Sequence, residues 1–153
     1  MKASTKNSKP KAVALWGDLP QGATLVVDSA PLIYVLDEHP QFAAQFVDLF
    51  EAAESGDFQI AISTITVAEV LTGPYKAGQT LLAKRYERAL LHYNVIAVSA
   101  TIAVLAAQLR SRYRLKLPDA MQLATALDVG ASAFVTHDAD FSGVEGIRIL
   151  TGN

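Results

Sequence analysis

The sequence predicts an α/β fold, a mostly parallel sheet of about five strands with helices on both faces. Three observations point to it. Short β-rich apolar runs recur along the chain, at Thr24–Asp28, Phe58–Ile62, Val95–Val98, Ser132–Thr136 and Ile147–Leu150. The first, second and fourth have mostly apolar centres, as strands buried on both faces do. Stretches with helical apolar spacing separate the runs, and parallel strands need such crossovers.

The elements follow in order. Residues 1–22 carry Lys2, Lys6, Lys9 and Lys11 among Ser, Thr, Asn and Pro. They read as a flexible basic leader that becomes tethered near Trp16, ahead of a single domain over 23–153. After the first strand, Ser29 is placed to cap a helix with Pro31 in its first turn, running through Leu36. Pro40 opens a second helix whose stripe, Phe42, Phe46, Leu49, Phe50 and Ala53, ends near Gly56. Following the second strand, Ser63 caps a helix that carries Glu69 and stops around Gly73-Pro74. Gln79 to Tyr93 and Ala100 to Tyr113 show two more helical stripes, flanking the third strand. Pro118 starts a helix through Ala126, closed near Gly130, before the last two strands.

Composition limits the function. The 153 residues suffice for one domain that buries roughly two-thirds of its unfolded surface. With 51% hydrophobic and 18% charged residues, most of the chain is expected to pack. No apolar run is long enough to span a bilayer, and the opening residues lack a secretion signal's apolar core. A cytoplasmic protein is expected. The absence of cysteine excludes disulfides and thiolate metal sites, leaving oxygen ligands. A net charge of −2 means that a polyanion would be drawn by a local basic patch or a bound cation rather than by the whole surface.

Four carboxylates stand where an apolar run gives way to a turn or helix: Asp28, Glu69, Asp119 and Asp138. Acids at strand ends of an alternating α/β chain converge at one edge of the sheet. Anions gathered there repel one another unless a cation joins them, which points to a divalent-metal site and to chemistry on phosphate. Each acid also has an ordinary reading. Asp28 can cap the helix at Ser29, Asp119 sits in a helix's first turn, and Asp138 suits an Asx turn. Glu69 is the hardest to explain away, since Ile62 to Leu71 contains no other charge. Asp140 can assist or replace Asp138. Ser29 and Thr136 can orient the acids beside them.

Basic residues cluster twice. Arg110, Arg112, Arg114 and Lys116 precede Pro118-Asp119, and Lys76, Lys84, Arg85 and Arg88 form a second group. Either is explained by a solvated helix face; the functional reading, strongest for the first group, is a phosphate-tracking rim around the acidic centre. His137 precedes Asp138 but is expected to point away from it.

The order strand-Asp28-Ser29, helix-Glu69, Leu117-Pro118-Asp119-Ala120 and Thr136-His137-Asp138-Ala139-Asp140-Phe141 resembles the PIN-domain ribonucleases, and among them the VapC toxins of toxin–antitoxin pairs. The likeness covers about residues 24 to 150, and Leu117 to Ala126 is especially close to the family. It implies a three-layer α/β/α sandwich and a metal-dependent endoribonuclease. Asp28, Glu69, Asp119 and Asp138 would then be the catalytic acids holding Mg²⁺ or Mn²⁺, with Ser29, Thr136 and Asp140 in support. Aligned on Thr136 and Phe141, the resemblance favours Asp138 over Asp140. It also implies an RNA substrate, a homodimer and a VapB-like antitoxin partner. The long leader departs from the family's usual start.

Other classes fit less well. A phosphatase working through an aspartyl nucleophile needs a second Asp two residues after the first, where this chain has Ala30. An RNA-processing PIN nuclease outside toxin–antitoxin systems is the nearest alternative. A non-catalytic PIN-like module is less favoured, because all four acids are present.

Overall fold

The structure, a computed structural model, describes residues 16–152. Five strands form one sheet: β1 (Ala23–Val27), β2 (Phe58–Ser63), β3 (Asn94–Ile96), β4 (Ala133–Thr136) and β5 (Arg148–Thr151). Every pairing is parallel, in the order β3-β2-β1-β4-β5. Six helices connect them: α1 (Ser29–Leu36), α2 (Ala43–Glu54), α3 (Thr64–Lys76), α4 (Thr80–Leu91), α5 (Ala100–Tyr113) and α6 (Leu117–Asp128).

Strand residues alternate between two cores, which makes the molecule a three-layer α/β/α sandwich. Leu25, Val27, Ile60, Ile62, Ala133 and Val135 face one layer, where they meet Leu32 of α1, Phe46, Leu49 and Phe50 of α2, Val70 of α3 and Leu90 of α4. Val26, Ala61 and Phe134 face the other, against Ile102 and Ala106 of α5 and Ala120, Leu123, Ala124 and Ala126 of α6. The register sets Val26 beside both Ala61 and Phe134, so the second core starts from the middle of the sheet.

Several boundaries differ from the sequence reading. Helix α3 does not stop at Gly73-Pro74 but continues to Lys76, with Pro74 buried inside it. The residue before a proline resists helical geometry partly through its Cβ, which Gly73 lacks. Helix α2 begins at Ala43 rather than near Pro40, and β3 is three residues long and begins at Asn94. Lys2, Lys6, Lys9 and Lys11 lie outside the described residues. From Trp16 on, where the sequence reading places the tether, the chain packs on the domain. Trp16 and Leu19 rest on the first core, Gly22 N–H donates to the Asp57 carbonyl at 3.1 Å, and Asp18 pairs with Arg148 at 2.7 Å.

The chain leaves β1 towards β2 and β3 on one side, then returns to place β4 on the other side of β1. The carboxyl ends of β1 and β4 therefore meet at a topological switch point, the usual place for a site in a parallel sheet. Among the described residues, no helix is long and apolar enough to cross a membrane.

Candidate active site

Asp28 follows the last residue of β1 and is buried; its N–H donates to the Val135 carbonyl of β4 at 2.8 Å. One carboxylate oxygen, Oδ1, accepts the Ser29 N–H at 2.8 Å, and Oδ2 accepts the Thr136 hydroxyl at 2.8 Å. Asp28, not Ser29, is thus the N-cap of α1. The ordinary reading of this acid is correct, and it leaves the carboxylate at the switch point all the same. Burial, opposed by these two hydrogen bonds and reinforced by the negative charges of Asp119 and Glu69, pushes Asp28 up to about 6.

Thr136 ends β4 and serves two acids. Besides donating to Asp28, its oxygen accepts the Asp138 N–H at 3.1 Å. Asp138 Oδ1 then accepts the Asp140 N–H at 2.9 Å, the expected Asx turn, which opens a short 3-10 turn over Ala139–Phe141. This local chemistry turns both Asp138 and Asp140 towards Asp119, in the first turn of α6. Asp119, Asp138 and Asp140 each offer a carboxylate oxygen within 4.8 Å of the others. Asp119 is raised above the usual carboxylate range, first by burial and then by Asp138 and Glu69, with Lys116 pulling the other way.

Glu69, on α3, is held differently. Its Oε1 accepts the Ser29 hydroxyl at 2.8 Å and the Gln122 amide at 3.4 Å. Glu69 and Asp28 stay outside the tight group of three, yet both are close enough to act electrostatically on their neighbours. The structure thus gathers five acids at one edge. It puts Asp140 alongside Asp138 instead of choosing between them.

Sequence reasoning missed a buried polar cluster beneath these acids: Ser63, Thr66 and Gln122, none with exposed surface. Gln122 Oε1 accepts the Ser63 hydroxyl at 2.6 Å, while its Nε2 faces Thr66 Oγ1 at 2.5 Å and Ser29 Oγ at 3.2 Å. A signal was available. Gln122 follows Asp119 by three residues, on the same face of a helix otherwise rich in Ala and Leu.

His137 does point away from the acids. Its Nδ1 lies 3.0 Å from the Tyr34 hydroxyl, and its ring packs against Phe42 and Phe46. The first basic group is partly engaged elsewhere. Arg110 Nε donates to the Leu115 carbonyl at 3.3 Å and Arg112 pairs with Glu145 at 3.4 Å, while Lys116 lies beside Asp119. In the second group, Lys84 and Arg88 line a shallow depression on α4 with Glu87 and Leu91.

Fold and site together define an all-parallel α/β/α domain with a cluster of oxygen donors at its switch point. A model of the PIN domain family matches residues 25–147, and the chain belongs to that family. Among solved structures, a chain of a toxin–antitoxin complex from Klebsiella pneumoniae is 34% identical over 83% of this chain and 96% of that one, with a TM-score of 0.66. VapBC2 from Rickettsia felis, solved with a DNA fragment from its promoter, shares 19% identity over 85% and 99% of the two chains, with a TM-score of 0.68. Mycobacterium tuberculosis VapC20, a toxin that cleaves the sarcin–ricin loop, shares 16% over 80% and 96%, with a TM-score of 0.65. These last two likenesses are likenesses of fold. A search of curated proteins gives no match.

Proposed function

We propose that this protein is a metal-dependent endoribonuclease and the toxin of a type II toxin–antitoxin pair. The carrying observation is the convergence of Asp119, Asp138 and Asp140 oxygens within 4.8 Å in a PIN domain, with Asp28 and Glu69 beside them. The donor set fits a hard divalent cation. Every candidate ligand is a carboxylate, and Asp28 and Asp119 are both raised, first by burial and then by neighbouring carboxylates whose repulsion a cation would relieve. Asp28, Glu69, Asp119 and Asp138 would hold Mg²⁺ or Mn²⁺, with Asp140 in reach of the same place. When bound, such an ion lowers the pKa of a water that attacks the phosphodiester and offsets charge on the leaving oxygen.

The chain's own residues do the rest. Thr136 and the Ser29 N–H fix both oxygens of Asp28, so this acid does not reorient as substrate arrives. The Asx turn, in which Asp138 Oδ1 accepts the Asp140 N–H, sets the direction of two acids together. Lys116, next to Asp119, with Arg110, Arg112 and Arg114 one helix end away, forms the rim that meets RNA phosphates. The likeness to a chain of the Klebsiella toxin–antitoxin complex supports a toxin–antitoxin pairing, and we extend the reading to a VapB-like antitoxin and a homodimer acting in the cytoplasm.

The test is cleavage of total RNA by purified protein with Mn²⁺, for wild type, Asp28→Ala and Asp119→Ala. Loss of activity should exceed the roughly 10–100-fold typical of changes one shell further out. It should be accompanied by relief of growth arrest on expression in the host. Undiminished cleavage by folded variants would refute the metal site; cleavage without growth arrest would place the nuclease outside toxin–antitoxin systems.

A further inference from the structure

Gln122 is a wholly buried amide whose orientation is determined by its neighbours. The Ser63 oxygen already accepts the Thr66 N–H at 3.2 Å, and its proton goes to Gln122 Oε1 at 2.6 Å. The amide oxygen therefore faces Ser63, and Nε2 faces the site. That nitrogen has two protons and three acceptors in reach: Thr66 Oγ1, Ser29 Oγ and Glu69 Oε1. Ser29 Oγ, accepting from Nε2, passes its own proton to Glu69 Oε1 at 2.8 Å. The result is a directed relay from Ser63 through Gln122 and Ser29 to one oxygen of Glu69. Such chains strengthen each successive bond.

We propose that Gln122 is a positioning residue for Glu69. It holds that carboxylate in one rotamer, with Oε1 occupied and Oε2 left for the acidic cluster. Among the described residues no hydrogen bond reaches Oε2. Glu69 is otherwise exposed on a long side chain, so holding it still costs rotamer entropy that the relay must offset. The relay also ties α3 to α6. Asp119 and Gln122 share one face of α6, so the helix that presents one acid fixes the acid of another. This inference rests on the metal-site reading, which it deepens by giving the cluster its support.

The experiment is calorimetric titration of the full chain with Mn²⁺ at neutral pH, on wild type, Gln122→Met, Glu69→Gln and the double variant. Gln122→Met keeps the volume and removes the amide. Its affinity should fall about 10–100-fold, the usual cost of losing an orienting partner. In the Glu69→Gln background the same substitution should change affinity by less than about twofold, because the residue it acts through no longer offers a carboxylate. Should Gln122→Met fail to fold, Ser29→Ala cuts the relay nearer its end and is expected to behave alike. Unchanged affinity, or an equal loss with and without the Glu69 carboxylate, would overturn the proposal. No Mn²⁺ binding by wild type would instead overturn the metal site itself.

Discussion

Asp28 shows how one residue can be both a helix cap and a candidate site group. Its backbone and both oxygens are committed to holding β1, β4 and α1 together, at a cost that appears in its titration. A carboxyl near 6 in the folded protein, against 3.8 ordinarily, binds more protons folded than unfolded between those values. Without metal, stability from this group is therefore greatest below about pH 4 and is lost as pH rises through about 6. The loss is on the order of 2–3 kcal/mol for a shift of this size. Asp119, also raised, adds in the same direction. Urea unfolding in chelator should give a falling stability from pH 4 to 6 in wild type and a shallower fall in Asp28→Asn. Thr136→Val removes the hydrogen bond that most lowers the group, so its pKa should rise further, as carboxyl infrared or NMR titration would record. Asp28, Asp119 and Asp138 were legible because each sits at a junction that the sequence marks with a strand, a proline or an Asx turn. Gln122 was not, since only tertiary packing buries a residue that could as easily have faced water.

At the scale of elements, serine caps give the comparison. Ser63 and Ser99 do the same local task, each accepting the N–H three residues on at 3.2 Å. Ser63 is also fully buried and donates to Gln122, whereas Ser99 lies at the exposed start of α5. Ser99→Ala should cost about 1 kcal/mol, an ordinary cap. Ser63→Ala leaves a buried amide oxygen without its donor as well and should cost roughly 2–4 kcal/mol by urea denaturation. Equal costs would mean that the buried relay contributes nothing to stability. The start of α3 was readable from Ser63 followed by an apolar stripe, whereas the same signal at Ser29 put the cap of α1 one residue late. Helix ends were less so: Gly73-Pro74 carries the usual stop signal, yet α3 runs on because its buried face continues through Pro74. Where packing and local propensity disagree, packing decides.

For the whole molecule, the acids come from four distant parts of the chain: the ends of β1 and β4, the middle of α3 and the start of α6. Alternation of strand and helix made the parallel sheet legible. It did not say that α1 to α4 would share one face and leave α5 and α6 the other, because both sets carry an apolar stripe and only handed crossovers assign the sides. That assembly from remote segments has a thermodynamic consequence. The unfolded chain holds no comparable cluster, so on the proposed reading a divalent cation would bind the folded state almost alone. At a hundredfold excess over Kd it should then add about 2.7 kcal/mol. For a domain of this size each kcal/mol moves Tm by roughly 2–4 °C, so Mn²⁺ at pH 7 should raise Tm by about 5–10 °C, reversibly with chelator. A cation bound there would compete with the protons that Asp28 and Asp119 take up. Its stabilising effect should therefore shrink as pH falls below about 6, just where the metal-free protein gains stability. The two trends have opposite signs, so melting curves with and without Mn²⁺ should converge on acidification. Asp119→Ala should remove the Mn²⁺ effect at every pH. A Tm that does not respond to Mn²⁺ at pH 7 would mean that the gathered carboxylates bind no cation and that their crowding serves another purpose.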